Sequence, residues 1–164
     1  MTFLKRMLAL LLALCLLLSV TALAQEEAAE DEILVEDGVA LTEQYLVEYG
    51  YDYSSTDEVA LYLYAFGELP PNFLTKAEAR DMGWRSSEGN LWVVAEGMSI
   101  GGDVFGNREG RLPDAKGRTW YECDVNRDDG RRSRERIVFS SDGLIYYSPD
   151  GFKTFELLYG GEEE

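Results

Sequence analysis

The chain has 164 residues, with 31 Asp and Glu against 15 Lys and Arg, two Cys and no His. Without histidine, no imidazole serves as acid, base or metal ligand anywhere in it. The net charge of −16 makes the protein acidic, but the imbalance is local. Residues 25–75 hold 13 acids and neither Lys nor Arg, whereas residues 76–161 hold 15 acids and 13 bases.

Residues 1–24 read as a signal peptide. Lys5 and Arg6 precede a Leu-rich apolar run, and Ala22-Leu23-Ala24 fits a small-x-small cleavage site. The run is short for a membrane span and has no basic stop-transfer flank. The mature chain is therefore expected to begin at Gln25, to be secreted and extracellular, and to lack a stable membrane association. Cys15 leaves with the signal, so Cys123 is the single mature cysteine and no intrachain disulfide is expected. It falls on the apolar side of its strand, where a buried, inert thiol is expected.

Residues 25–53 form an acidic leader or pro-segment, expected to be flexible or to mask a basic surface. Leu41, Tyr45, Leu46 and Tyr49 suggest a short helix within it. The folded domain is expected over residues 54–160, with an acidic tail at 161–164. Ser55 and Glu58 have capping-box spacing, and Val59, Tyr62, Leu63 and Phe66 give one amphipathic helical stripe. Gly67 and then Pro70-Pro71 stop that helix. Thr75 and Glu78 open a second helix that closes at Met82-Gly83-Trp84, and residues 90–95 suggest a third. A glycine-containing strand follows over residues 99–105, then a polar loop to Gly110.

From Gly117 onward, three β-rich runs are separated by Asp129-Gly130 and Asp142-Gly143, the pattern of an antiparallel meander. Alternation puts Trp120, Glu122 and Asp124 on one face, and Tyr121, Cys123 and Val125 on the other. Carboxylates facing the arginines of residues 131–136 make a candidate site for chemistry on a phosphate. The plainer reading is a cross-strand ion pair between Glu122 and Arg136. Helices first and strands after predict an α+β domain, with N-terminal helices packed on one face of an antiparallel sheet.

The stretches LPPNFLTKAEARDMGW, GNLWVVAEGMSIGGDVFGNREGRLP, GRTWYECDVN, RIVFSSDGLIYY and FKTF together resemble barnase-like microbial guanyl-specific ribonucleases. The resemblance runs from about Glu58 to Leu158. It implies cleavage of single-stranded RNA after guanine through a 2′,3′-cyclic phosphate, with no metal and no cofactor. It assigns the general base to Glu122, phosphate binding to Arg132 and Arg136, and a supporting cation to Lys76. It matches the guanine-recognition loop to residues 105–110, with Phe105, Asn107, Arg108 and Glu109 as binding residues. A carboxylate there accepts from N1–H and N2–H of guanine, a donor pair that adenine lacks. A barstar-like protein inhibitor and a monomeric state are also implied. Asp103 is expected to organise the loop by hydrogen bonds. Arg127, Arg131 and Arg134 match no catalytic position and read as solvated or RNA-steering residues. Trp84 and Trp120 read as core.

The sequence departs from the family at one point that matters. The general-acid histidine of the family is matched by Gly151, and the aromatic after it is Phe152, without a hydroxyl. Adjacent Asp150 is a substitute acid if its pKa is raised. Two readings stay open: an endoribonuclease, or a non-catalytic relative that binds RNA, nucleotide or an inhibitor in the same cleft.

Overall fold

The computed structural model describes residues 33–42, 44–127 and 132–161. The expected signal peptide, the first part of the expected leader, the expected turn at Asp129-Gly130, Arg131 and residues 162–164 lie outside the described residues.

Among the described residues, two sheets and three helices make an α+β fold. Strands β1 (Leu34–Glu36), β2 (Val39–Leu41) and β3 (Leu46–Glu48) form a small antiparallel sheet. Helix α1 (Thr56–Phe66) follows, then β4 (Phe73–Leu74), α2 (Lys76–Asp81) and α3 (Leu91–Val94). The main sheet runs β4-β5-β6-β7-β8-β9, with β5 (Ser99–Phe105), β6 (Trp120–Asp124), β7 (Arg136–Ser140), β8 (Ile145–Ser148) and β9 (Glu156–Tyr159). Only β4 pairs parallel; the others are antiparallel neighbours in chain order.

The helix ends follow the sequence signals. Ser55 caps α1 by accepting from the Glu58 N–H, and Gly67 ends it in the left-handed region, donating to the Leu63 carbonyl. Thr75 and Glu78 complete a reciprocal capping box at α2. Met82 closes α2, and Trp84 is buried with Ala79, Leu91 and Ile100 in a core of its own.

Helix α1 is buried on two sides, not along one stripe. Val59, Ala60 and Leu63 pack against Cys123, Val125, Ile137 and Ile145 of the main sheet. Leu61 and Tyr62 pack against Ala40 and Val47 of the small sheet. A helix apolar all round needs cover all round, and residues 33–50 supply it. The expected flexible leader and the short helix around residues 39–49 therefore give way to three strands. The apolar spacing at Leu41, Tyr45, Leu46 and Tyr49 suits a helical turn, but Asp37-Gly38 turns the chain at positive φ (48° and 80°) and pairs β1 with β2. Tyrosine hydroxyls fasten the sheet to its neighbours. Tyr45 donates to Asp57 (2.7 Å), Tyr49 donates to Glu68 (2.7 Å), and Tyr62 accepts from the Gly50 N–H (3.0 Å). Helix α1 covers the face of the main sheet opposite Glu122, and β2 and β3 pack on α1.

Deleting residues 25–52 is expected to leave a folded domain of reduced stability. It strips Leu61 and Tyr62 of their cover, a loss of about 2–5 kcal/mol by apolar burial. A thermal melt should show Tm lower by roughly 10–20 °C. An unchanged Tm would contradict the packing described for β2 and β3.

Candidate active site

The side of the main sheet away from α1 carries the polar cluster. Register pairs Glu122 with Val138, and Asp124 with Arg136 and through it Ser148. On β5 a bulge at Gly102, at φ 88°, shifts the pairing so that Gly101 faces Cys123 and Asp103 faces Glu122. A Cβ on Gly101 would lie 2.6 Å from the Cys123 Cβ, so glycine is required for β5 to approach β6 there. The bulge thus brings a second carboxylate beside Glu122.

Glu122 is buried, and its Oε1 is bonded to the Lys76 ammonium. Lys76 is the first residue of α2, so the Thr75–Glu78 capping box fixes the start of its side chain. Its backbone N–H donates to Asp103 Oδ2 (2.9 Å), and its ammonium stands 3.8 Å from the same oxygen. Asp103 therefore ties α2 to β5, rather than organising the loop after β5 as expected.

The plainer reading of an ion pair between Glu122 and Arg136 gives way to a hub at Asp124, whose side chain is 1% exposed. Arg132 donates to Asp124 through Nε and Nη2 (both 2.8 Å). Arg136 Nε stands 3.0 Å and Arg127 Nη1 3.9 Å from its oxygens. Asp124 lies on the face that alternation predicts and gathers the arginines there, a part that its position in the sequence did not suggest. Arg127 is buried there, not solvated, while Arg134 is exposed. The Asp124 bond raises the Arg132 pKa above the usual guanidinium value, whereas desolvation lowers that of Arg136. Arg136 Nη1 also donates to the Ser133 and Glu135 carbonyls (2.8 and 2.7 Å), which locks its direction. Among the described residues, Lys76, Arg127, Arg132 and Arg136 thus stand beside the carboxylates of Asp103, Glu122 and Asp124. Such a face can hold a phosphodiester beside a carboxylate able to take a proton.

A cavity of about 530 Å³ is lined by residues 105–109, Arg111, Phe152, Lys153 and Phe155. It brings Phe105, Asn107, Arg108 and Glu109 together with the loop of Gly151. Phe152 joins the two regions: its ring lies 5.0 Å from that of Phe105, and the Arg136 guanidinium lies 5.8 Å above it. Glu109 points into solvent and pairs with Arg111 (2.7 Å), whose Nη1 also donates to the Lys153 carbonyl. Asn107 has a structural part in this loop. At φ 39°, it bonds Leu112 through both its Nδ2 and Oδ1 atoms and so shapes the loop.

Asp150 is not suited to replace the missing acid. It accepts from the backbone N–H groups of Lys153 and Thr154 (both 3.0 Å) and from the hydroxyls of Thr154 (2.9 Å) and Ser148 (3.2 Å). These bonds, the Thr154 N–H foremost, hold its carboxyl below the usual range, the reverse of the required shift. Gly151 stands at φ 75° with open space where a side chain would project. Cys123 is buried behind the site, and burial pushes its thiol far up in pKa, as an inert thiol requires. Among the described residues, no group of three or more His, Cys, Asp or Glu side chains is placed to hold a metal.

The model of a family described as ribonuclease matches residues 58–159. A ribonuclease of Heyndrickxia coagulans is 56% identical over 99 residues, which cover 60% of this chain and 91% of that protein. Ribonucleases of Bacillus intermedius and Bacillus pumilus are each 56% identical over 99 residues, covering 60% of this chain and 61% of theirs. All of the cluster and cavity residues fall within the matched region, and β1 to β3 precede it.

Proposed function

Because the chain belongs to the barnase-like microbial ribonuclease family, we propose that it is a secreted endoribonuclease that cuts single-stranded RNA on the 3′ side of guanosine. Glu122 takes the proton of the ribose 2′-OH. The 2′-oxygen bonds to phosphorus as the P–O5′ bond breaks in line, which leaves a 2′,3′-cyclic phosphate. Lys76, Arg132 and Arg136 stabilise the charge gathering on the non-bridging oxygens. With no histidine in the chain and Asp150 held ionised, water protonates the departing 5′-oxygen. The reading is carried by the placement of Glu122: a buried carboxylate bonded to Lys76, on the same sheet face as the Asp124-anchored arginines. The lack of a positioned acid favours a second reading, a relative that binds RNA, nucleotide or a barstar-like inhibitor without turnover. Attraction to an acidic inhibitor is weakened by this chain's own acidity. The protein acts as a monomer in both readings.

Glu109 is the guanine reader in this proposal, since its carboxylate is exposed at the cavity. Glu109→Ala is expected to reduce discrimination between GpU and ApU by roughly 10²- to 10⁴-fold, the worth of two hydrogen bonds to a charged group at about 1.5–3 kcal/mol each. Affinity for inorganic phosphate should change little. Equal losses on both dinucleotides would assign Glu109 a general electrostatic role instead.

A further inference from the structure

Among the described residues, only one of the two faces of the small sheet is packed against the rest of the fold. Ala40 and Val47 are fully buried under α1. On the outer face, register aligns Leu34 with Leu41 and Leu41 with Leu46, a row across all three strands. These leucines are 57%, 41% and 51% exposed. Single exposed apolar residues are ordinary, but three in cross-strand register form a continuous stripe. At strand spacing, the row spans about 10 Å, roughly the width of one helix. Its rim is acidic. Glu36 and Glu48 flank the stripe on the same face, Asp37 lies in the adjoining turn, and residues 25–75 contain no Lys or Arg.

We propose that this outer face docks a cationic amphipathic helix of a partner polypeptide, whose apolar side chains cover the leucine row while its Lys and Arg meet Glu36 and Glu48. Charge complementarity selects this occupant. A second copy of the chain would bring the same carboxylates against themselves, and RNA would bring further negative charge. The docking face lies beyond α1, on the side of the main sheet away from Glu122. A partner held there leaves the phosphate-binding cluster open.

The test uses the full chain and two labelled Leu/Lys peptides of equal composition. One has its leucines on one helical face, and the other is scrambled. Fluorescence anisotropy at physiological salt should show the amphipathic peptide binding at least about tenfold tighter, as burial of two half-exposed leucines requires. Because both peptides carry the same charge, attraction to an acidic protein alone predicts equal binding, and equal binding would overturn the proposal. The double variant Leu41→Ser and Leu46→Ser should abolish the difference with Tm little changed, because both side chains face solvent. Glu36→Lys with Glu48→Lys should weaken binding independently, and more so at low salt. A difference that persists in both variants would place the peptide elsewhere and overturn the proposal. Competition between the peptide and a guanosine nucleotide would do the same. Dimerisation of the chain lost in the leucine variant would assign the stripe to a second copy.

Discussion

Glu122→Gln is expected to lower the rate of RNA cleavage by about 10²- to 10⁴-fold, the usual worth of a positioned general base. The variant separates chemistry from folding. Glutamine keeps the size of the side chain and an oxygen for the Lys76 ammonium, and Lys76 retains Asp103 as a partner. The arginines are anchored on Asp124, so the phosphate-binding face should persist. Single-turnover cleavage should therefore fall while RNA affinity, read by filter binding, stays within a few-fold. A variant that cuts within about fivefold of the parent would remove Glu122 from the base role.

Gly151→His is expected to raise the cleavage rate by at least about tenfold, since a positioned acid contributes roughly 10² to 10⁴ and imperfect placement loses part of that. The backbone at Gly151 is left-handed, which costs a side chain about 1 kcal/mol. Histidine is among the residues that tolerate that region, and the space around the site is open. The loop should hold its shape, because Asp150 anchors it from Lys153 and Thr154. The rate should also gain a limb that falls as pH rises through the histidine pKa, about 6.5 when unperturbed. Adding Glu122→Gln should remove the gain. A folded single variant no faster than the parent would mean that protonation of the leaving oxygen does not limit the reaction.

Several elements of residues 54–160 were legible in the sequence for local reasons. Capping boxes at Ser55 and Thr75 and the alternation through WYECD depend on neighbouring residues, so spacing alone sets them. Glu122 bonds Lys76, while Arg132 and Arg136 meet at Asp124 on the same sheet face. The ion pairing did not follow from spacing. Glu122 and Asp124 share a face, and the choice of Arg136 for Asp124 is made by register, which fixes partners only once β6 and β7 are paired. The bulge at Gly102, which aims Asp103 at Glu122, likewise depends on the approach of β5 to β6. In residues 33–50 charge hides the strands that form there. Their structural signal lies elsewhere, in Ala60 and Leu61 of α1, which are apolar outside the expected stripe and need a second surface to cover the helix. Asp150 resembled a spare acid by position, but the hydrogen bonds that keep it ionised come from residues up to four places on in a turn whose shape the sequence did not fix.

The most direct measurement is mass spectrometry of the products formed from a short single-stranded RNA containing one guanosine. The proposed activity gives one cut, 3′ to the guanosine, with the upstream fragment ending in a 2′,3′-cyclic phosphate. Intact RNA at protein concentrations that retain it on a filter would contradict turnover and leave the binding reading. Cuts at other bases, or fragments bearing 5′-phosphates, would contradict the assigned specificity and mechanism.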